Sequence, residues 1–113
     1  MLVRFREVMK AKNATEVLIA AKWIIENVGW CQGMLVKQDY RLTPVAFCPM
    51  GAINYVETID FKHNLEARSI LDRAVGLVGI AYFNDQPCMT KEMILNLFDQ
   101  AIKELKYKHE VKV

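Results

Sequence analysis

Little in this sequence marks a secreted or metal-stapled protein. It holds three cysteines, an odd number, and no C-x-x-C pair, so neither a disulfide framework nor a zinc ribbon is expected and reduced thiols are the simplest reading. No stretch approaches the about 20 apolar residues of a membrane span. The opening MLVRFREVMKAK alternates charge with apolar residues and lacks the about 7–15 apolar residues of a signal peptide. Together these absences point to a cytoplasmic protein that does not enter a membrane. An excess of one charge sign is also missing. Fifteen Lys and Arg stand against 13 Asp and Glu, far from the basic surplus of a dedicated duplex-DNA binder, so nucleic acid is unsupported as a partner. No repeat, low-complexity run or Pro/Gly/Ser linker divides the chain, and a hydrophobic content of 53% over 113 residues suits one core. A single domain over residues 1–113 is expected, with an ambiguous segment at 1–12 and a charged tail at 107–113 that frays.

What the sequence does contain is helical periodicity with punctuation. Asn13 and Glu16 form an N-x-x-E capping pattern ahead of Val17, Leu18, Ala21, Ile24, Ile25 and Val28, and Gly29 marks the stop. From Gly33 to Phe47 the pattern turns extended around DYRLTP, which fits a short hairpin or an ordered loop. Pro49 suits the first position of a second helix, running to about Ile59, with Cys48 at its N-cap. Asn64 is expected to cap a third helix whose stripe is Ala67, Ile70, Leu71, Ala74, Val75 and Val78, weakened by Gly76 and Gly79. After a loop FNDQPCM, Thr90 opens the cleanest helix, with Ile94, Leu97, Phe98, Ala101, Ile102 and Leu105 on one face and the pairs Asp99–Lys103 and Glu104–Lys108 on the other. The expected fold is mostly α: a compact four-helix single domain with a short extended or hairpin segment between helices one and two.

Chemistry competes with packing at several positions. Cys48 at a helix start feels the positive end of the dipole, which favours a thiolate nucleophile. Such a hydrolase or transferase needs a base, and His63 and His109 are the two histidines that could supply one. Gln32 could serve an oxyanion site, and Asn84 or Asp85 could orient His63. Against this, buried structural thiols are common, and packing is the favoured reading. Cys31, Cys48, Cys88, His63 and Asp85 contain metal-ligand types, but the cysteine intervals match no compact zinc motif, so no metal and no cofactor are expected. Gly51 and Ala52 suggest close approach of helix two to a neighbour, and Trp30 a core or lid aromatic. His63 is expected in a solvated loop. Asn84 and Asp85 are expected to turn inward as a polar latch on the unpaired N–H groups at the start of helix two.

The segments GWCQG (Gly29 to Gly33), CPMGAI (Cys48 to Ile53), FNDQP (Phe83 to Pro87) and TKEMILNLFDQAI from Thr90 together resemble a family of small proteins of unknown function from bacteria and their phages. Its pattern is G-W-x-x-G after the first helix, C-x-L-G-A at the next helix start and W-N-D before the last. Met50 stands here for the usual Leu and Phe83 for the usual Trp, both apolar. The resemblance implies a shared fold and a shared site near Trp30, Cys48, Gly51, Asn84 and Asp85, and it brings no reaction; the residues expected to bind are Trp30, Gln32, Cys48, Asn84 and Asp85. The leading expectation is a non-enzymatic protein that binds a macromolecular partner, as a phage accessory or host-modulating factor, with a homo-oligomer left open. A Cys48-dependent enzyme and a small-ligand-binding domain are the alternatives.

Overall fold

The computed structural model describes residues 10–111, with side chains through 107. Five α-helices and a two-stranded sheet follow in the order α1 (Ala14–Asn27), β1 (Val36–Gln38), β2 (Pro44–Phe47), α2 (Pro49–Tyr55), α3 (Lys62–Ala74), a 3-10 turn (Gly76–Val78), α4 (Gly79–Asn84) and α5 (Lys91–Val111). The chain is therefore mostly helical, with a hairpin where the extended stretch was expected. The described residues hold one helix more than the four read from sequence.

The first helix starts as its capping pattern requires. The Asn13 side chain accepts from the Glu16 N–H at 2.9 Å, and Glu16 Oε1 accepts from the Lys12 N–H at 2.9 Å. Its buried face, Ala14, Val17, Leu18, Ala20, Ala21, Ile24 and Ile25, is wide enough for α1 to pack against α2, α3 and α5 at once. Before it, Ala11 is buried and pairs in parallel with Thr58. The rest of the ambiguous segment, residues 1–9, lies outside the described residues.

Asp39 builds the hairpin. Its carboxylate accepts from the Arg41 N–H at 2.8 Å and the Thr43 N–H at 3.0 Å, closing a turn in which Leu42 takes φ 64°. β1 and β2 then pair antiparallel, Val36 opposite Phe47.

The second and third helices depart from the sequence reading. α2 ends at Tyr55 rather than near Ile59, because residues 57–59 turn extended to pair with Ala11. Asn64 does not cap α3. The helix begins two residues earlier at Lys62, where the Asp60 carboxylate accepts from the Lys62 N–H at 3.0 Å. Asn64 is instead buried and donates to the carbonyls of Ile53 and Val56, each at 2.9 Å, while accepting from the Thr58 hydroxyl at 2.6 Å. It serves carbonyls at the end of α2, that of Ile53 also accepting from the Val56 N–H at 3.3 Å, a task helix ends always impose. The stripe expected to run on to Val78 breaks after Ala74. Gly76 and Gly79 adopt φ 80° and 79°, which side-chain-bearing residues rarely take, and the chain restarts as α4 with its Ile80 N–H held by Asp72 at 2.8 Å.

The last helix begins at Lys91 and is capped by Thr90, whose hydroxyl accepts from the Met93 N–H at 3.2 Å. Its core face of Ile94, Leu97, Phe98 and Ala101 is buried, and Ile102 and Leu105 pack partly against the core. Asp99 pairs with Lys22 of α1 at 2.8 Å rather than with Lys103. That contact pushes the Lys22 pKa up, the hydrogen-bonded carboxylate outweighing the cost of burial. The helix runs on through Val111, so the backbone of the charged tail continues it as far as that residue; the side chain of Lys108, expected to pair with Glu104, lies outside the described residues. Among the described residues no helix is long and apolar enough to cross a membrane.

Candidate functional site at the Trp30 loop

After α1 the chain runs beside the end of β2. The Phe47 N–H donates to the Gly29 carbonyl at 2.9 Å and the Cys31 N–H to the Phe47 carbonyl at 3.1 Å, so Trp30 and Phe47 form a parallel bridge. A Cβ at Gly29 would run into the Val45 carbonyl, so the approach needs glycine. The next bond of a parallel ladder would go from the N–H of residue 49 to the Cys31 carbonyl, but Pro49 has no N–H. Asn84 fills the gap: its Nδ2 donates to the Cys31 carbonyl at 3.1 Å.

The same amide holds the neighbouring aromatic. Asn84 Oδ1 accepts from Trp30 Nε1 at 2.7 Å, and Asn84 itself is fully buried. Around it, Gln32 Nε2 donates to the carbonyls of Asn84 at 2.8 Å and Gln86 at 2.9 Å, and the Gly33 N–H donates to Asp85 Oδ1 at 2.9 Å. The motif segments GWCQG and FNDQP are thus joined by a network of polar contacts.

The latch exists, but its target differs from the expected one. Asn84 and Asp85 engage the Trp30–Gly33 loop, not the N–H groups at the start of α2. Those are partly served from within, since Cys48 is the N-cap and its Sγ accepts from the Gly51 N–H at 3.3 Å. Asn84 is also the last residue of α4 rather than part of a loop, and Asp85, the C-cap, remains exposed. Replacing Asn84 with alanine leaves the Trp30 indole N–H and the Cys31 carbonyl without partners, and is expected to lower stability by about 2–3 kcal/mol. Asp85→Ala removes the exposed contact with the Gly33 N–H and a long one from Asn84 Nδ2 at 3.4 Å, and should cost about 0.5–1.5 kcal/mol. Urea denaturation of the two variants checks this, and equal losses would show that the buried amide is not the central element.

Cys48 is buried, and burial pushes its thiol pKa up against the backbone N–H groups of Gly51 and Met50, which favour the thiolate. Cys31 is half-buried, its Sγ lies 3.6 Å from the Met34 carbonyl, and burial followed by the nearness of Cys48 raises its pKa too. All three cysteines are free thiols, Cys88 being exposed. His63 sits in the first turn of α3, not in a solvated loop, with Nδ1 buried and unpartnered, and no hydrogen bond among the described residues joins it to Cys48. His109 lies outside the residues whose side chains are described. Among the described residues no three His, Cys, Asp or Glu side chains are placed to hold a metal ion.

An open cleft of about 510 Å³ flanks the loop, lined by Trp30, Cys31, Gln32, Met34, Lys37, Val45 and Ala46. Trp30 and Gln32 were expected at a site. Lys37 and the β2 residues were not, because only strand register places them there.

Fold and latch together define a small α-helical domain with an inserted hairpin whose entry loop is locked to the end of a short helix. The sequence profile of a family of unknown function, DUF6197, matches residues 9–104, and the chain belongs to that family. A search of curated proteins found no match, and a search of solved structures found none either.

Proposed function

We propose that this protein is a small non-enzymatic binding module that engages a macromolecular partner through the hairpin. The observation behind this reading is the clustering of exposed apolar side chains on that one element: Tyr40 is 86% exposed and Leu42 72%, with Met34, Leu35 and Val45 exposed beside them. Single exposed apolar residues need no explanation, but a group carried on one hairpin is the kind of surface that partners cover. The polar network behind it fixes the base of the hairpin, which limits the ordering cost of binding. A cytoplasmic setting, expected from the composition of the sequence, and self-association belong to the same proposal, as does a bacterial or phage accessory role acting on a host, which rests on the motif likeness alone.

The cleft supports a second reading, a small ligand held between Trp30, Gln32 and Lys37, since pockets of about 300–1,000 Å³ are the usual size for such sites. Here Cys48, Asn84 and Asp85 would support the binding surface rather than line it. A Cys48-dependent enzyme has the least support, because the thiol is buried and already engaged with Gly51.

A photo-crosslinking residue in place of Tyr40, introduced in the producing cell, tests the proposal. The expected result is a discrete adduct that Leu42→Asp or Met34→Asp abolishes while circular dichroism stays unchanged. An adduct pattern identical to that from a crosslinker at Glu66 on α3 would refute it. A self-adduct would identify the partner as a second copy.

A further inference from the structure

Cys31 and Cys48 bracket the hairpin, and the backbone aligns them. Trp30 and Phe47 are parallel bridge partners, so Cys31 and Cys48 are the next pair in the same register. Register neighbours on adjacent strands project side chains to the same face, and strands lie about 4.8 Å apart, within the roughly 4.4–6.8 Å between Cα atoms that a disulfide spans. The electrostatic influence of Cys48 on Cys31 agrees with that closeness. Cys48 faces the backbone N–H groups of Gly51 and Met50, and Cys31 the Met34 carbonyl and the Lys37 backbone; these are sulfur contacts, weak ones that a rotation of the thiols toward each other can give up.

We infer that Cys31 and Cys48 are a redox pair that closes the base of the hairpin as a reversible disulfide. Access orders the two steps. Cys31 is half-buried and lines the open cleft, whereas Cys48 is 5% exposed. With a low-molecular-weight disulfide such as oxidised glutathione as the oxidant, the Cys31 thiolate attacks one sulfur and forms a mixed disulfide, releasing one glutathione thiol. The Cys48 thiolate then attacks Cys31 Sγ and displaces the second. The protein loses two hydrogens, and one glutathione disulfide becomes two thiols. The product ties the Trp30 loop covalently to the α2 start and withdraws the Cys31 thiol from the cleft wall. Exposed Cys88 takes no part.

The test uses the full-length chain with Cys88→Ser, folded and incubated with excess oxidised glutathione, then alkylated, digested with trypsin and weighed. The expected product is a monomer lacking two hydrogens in which peptide 23–37 is linked to peptide 42–62, and a thiol reductant restores both free peptides. In the same background Cys48→Ser should stop at a glutathione adduct on Cys31. The inference is overturned if the Cys48-containing protein also stops at that adduct, if Cys31 fails to react while the protein is folded, or if the linked peptide appears only in denaturant. Should Cys48→Ser fold poorly, the peptide map of the Cys88→Ser protein decides alone.

Discussion

Phe98→Ala is expected to destabilise the protein by about 3–5 kcal/mol, the range for deleting a fully buried aromatic ring. Phe98 has no exposed surface and lies on the face of α5 that packs against α1 and α3. Its neighbours on that face, Ile94 and Ala101, belong to a helix held at its start by Thr90, so the backbone has little freedom to collapse into the space left by the ring. The penalty should combine lost burial with a residual cavity. Chemical denaturation followed by circular dichroism reads it as a lower midpoint at unchanged slope. A variant within about 0.5 kcal/mol of the parent would show that α5 is not the anchor of the core.

Gly51→Ala should also be strongly destabilising, and here the sign is informative. Within a helix, alanine is normally favoured over glycine by about 1 kcal/mol. In α2, however, a Cβ at position 51 would collide with the Leu35 carbonyl group, which is backbone and cannot rotate away. That carbonyl accepts from the Cys48 N–H at 3.0 Å, and the adjoining Val36 is paired with Phe47, so moving it disturbs both the helix cap and the sheet. We expect a loss of about 3 kcal/mol or more, at the upper end for overpacking. Thermal melts of parent and variant decide it: a higher melting temperature for Gly51→Ala would mean that helix and hairpin do not approach as described.

What was legible in the sequence follows a physical line. The first and last helices could be read because their caps and stripes are local, with Asn13 and Thr90 acting within three residues and the apolar faces repeating at helical spacing. Cys48 and Pro49 could be read for the same reason. The break between α3 and α4 was half visible in Gly76 and Gly79, but whether paired glycines weaken a helix or end it depends on the backbone angles that packing selects. Asn64 was misread because an asparagine ahead of an apolar stripe looks like a cap whether or not its side chain turns back to another helix. Asn84 was expected to face inward but was given the wrong partners, the N–H groups at the start of α2 instead of the Trp30 indole and the Cys31 carbonyl. The acceptor it serves is open only because Pro49 interrupts a parallel pairing, and that pairing joins segments far apart in the chain. The lining of the cleft was invisible for a similar reason, since Lys37 and Val45 reach it only through hairpin register.

The Asn84 latch joins Trp30 to a residue 54 positions away. Closing so long a loop around one amide is entropically unfavourable until the elements between are in place. The latch should therefore be among the last features to assemble, after α1, the hairpin and α3 have come together. An interaction absent from the folding transition state acts almost wholly on the rate of unfolding. In a chevron plot Asn84→Ala should accordingly leave the refolding limb near that of the parent and raise the unfolding limb. The buried amide would then set how long the native molecule lasts rather than how fast it forms.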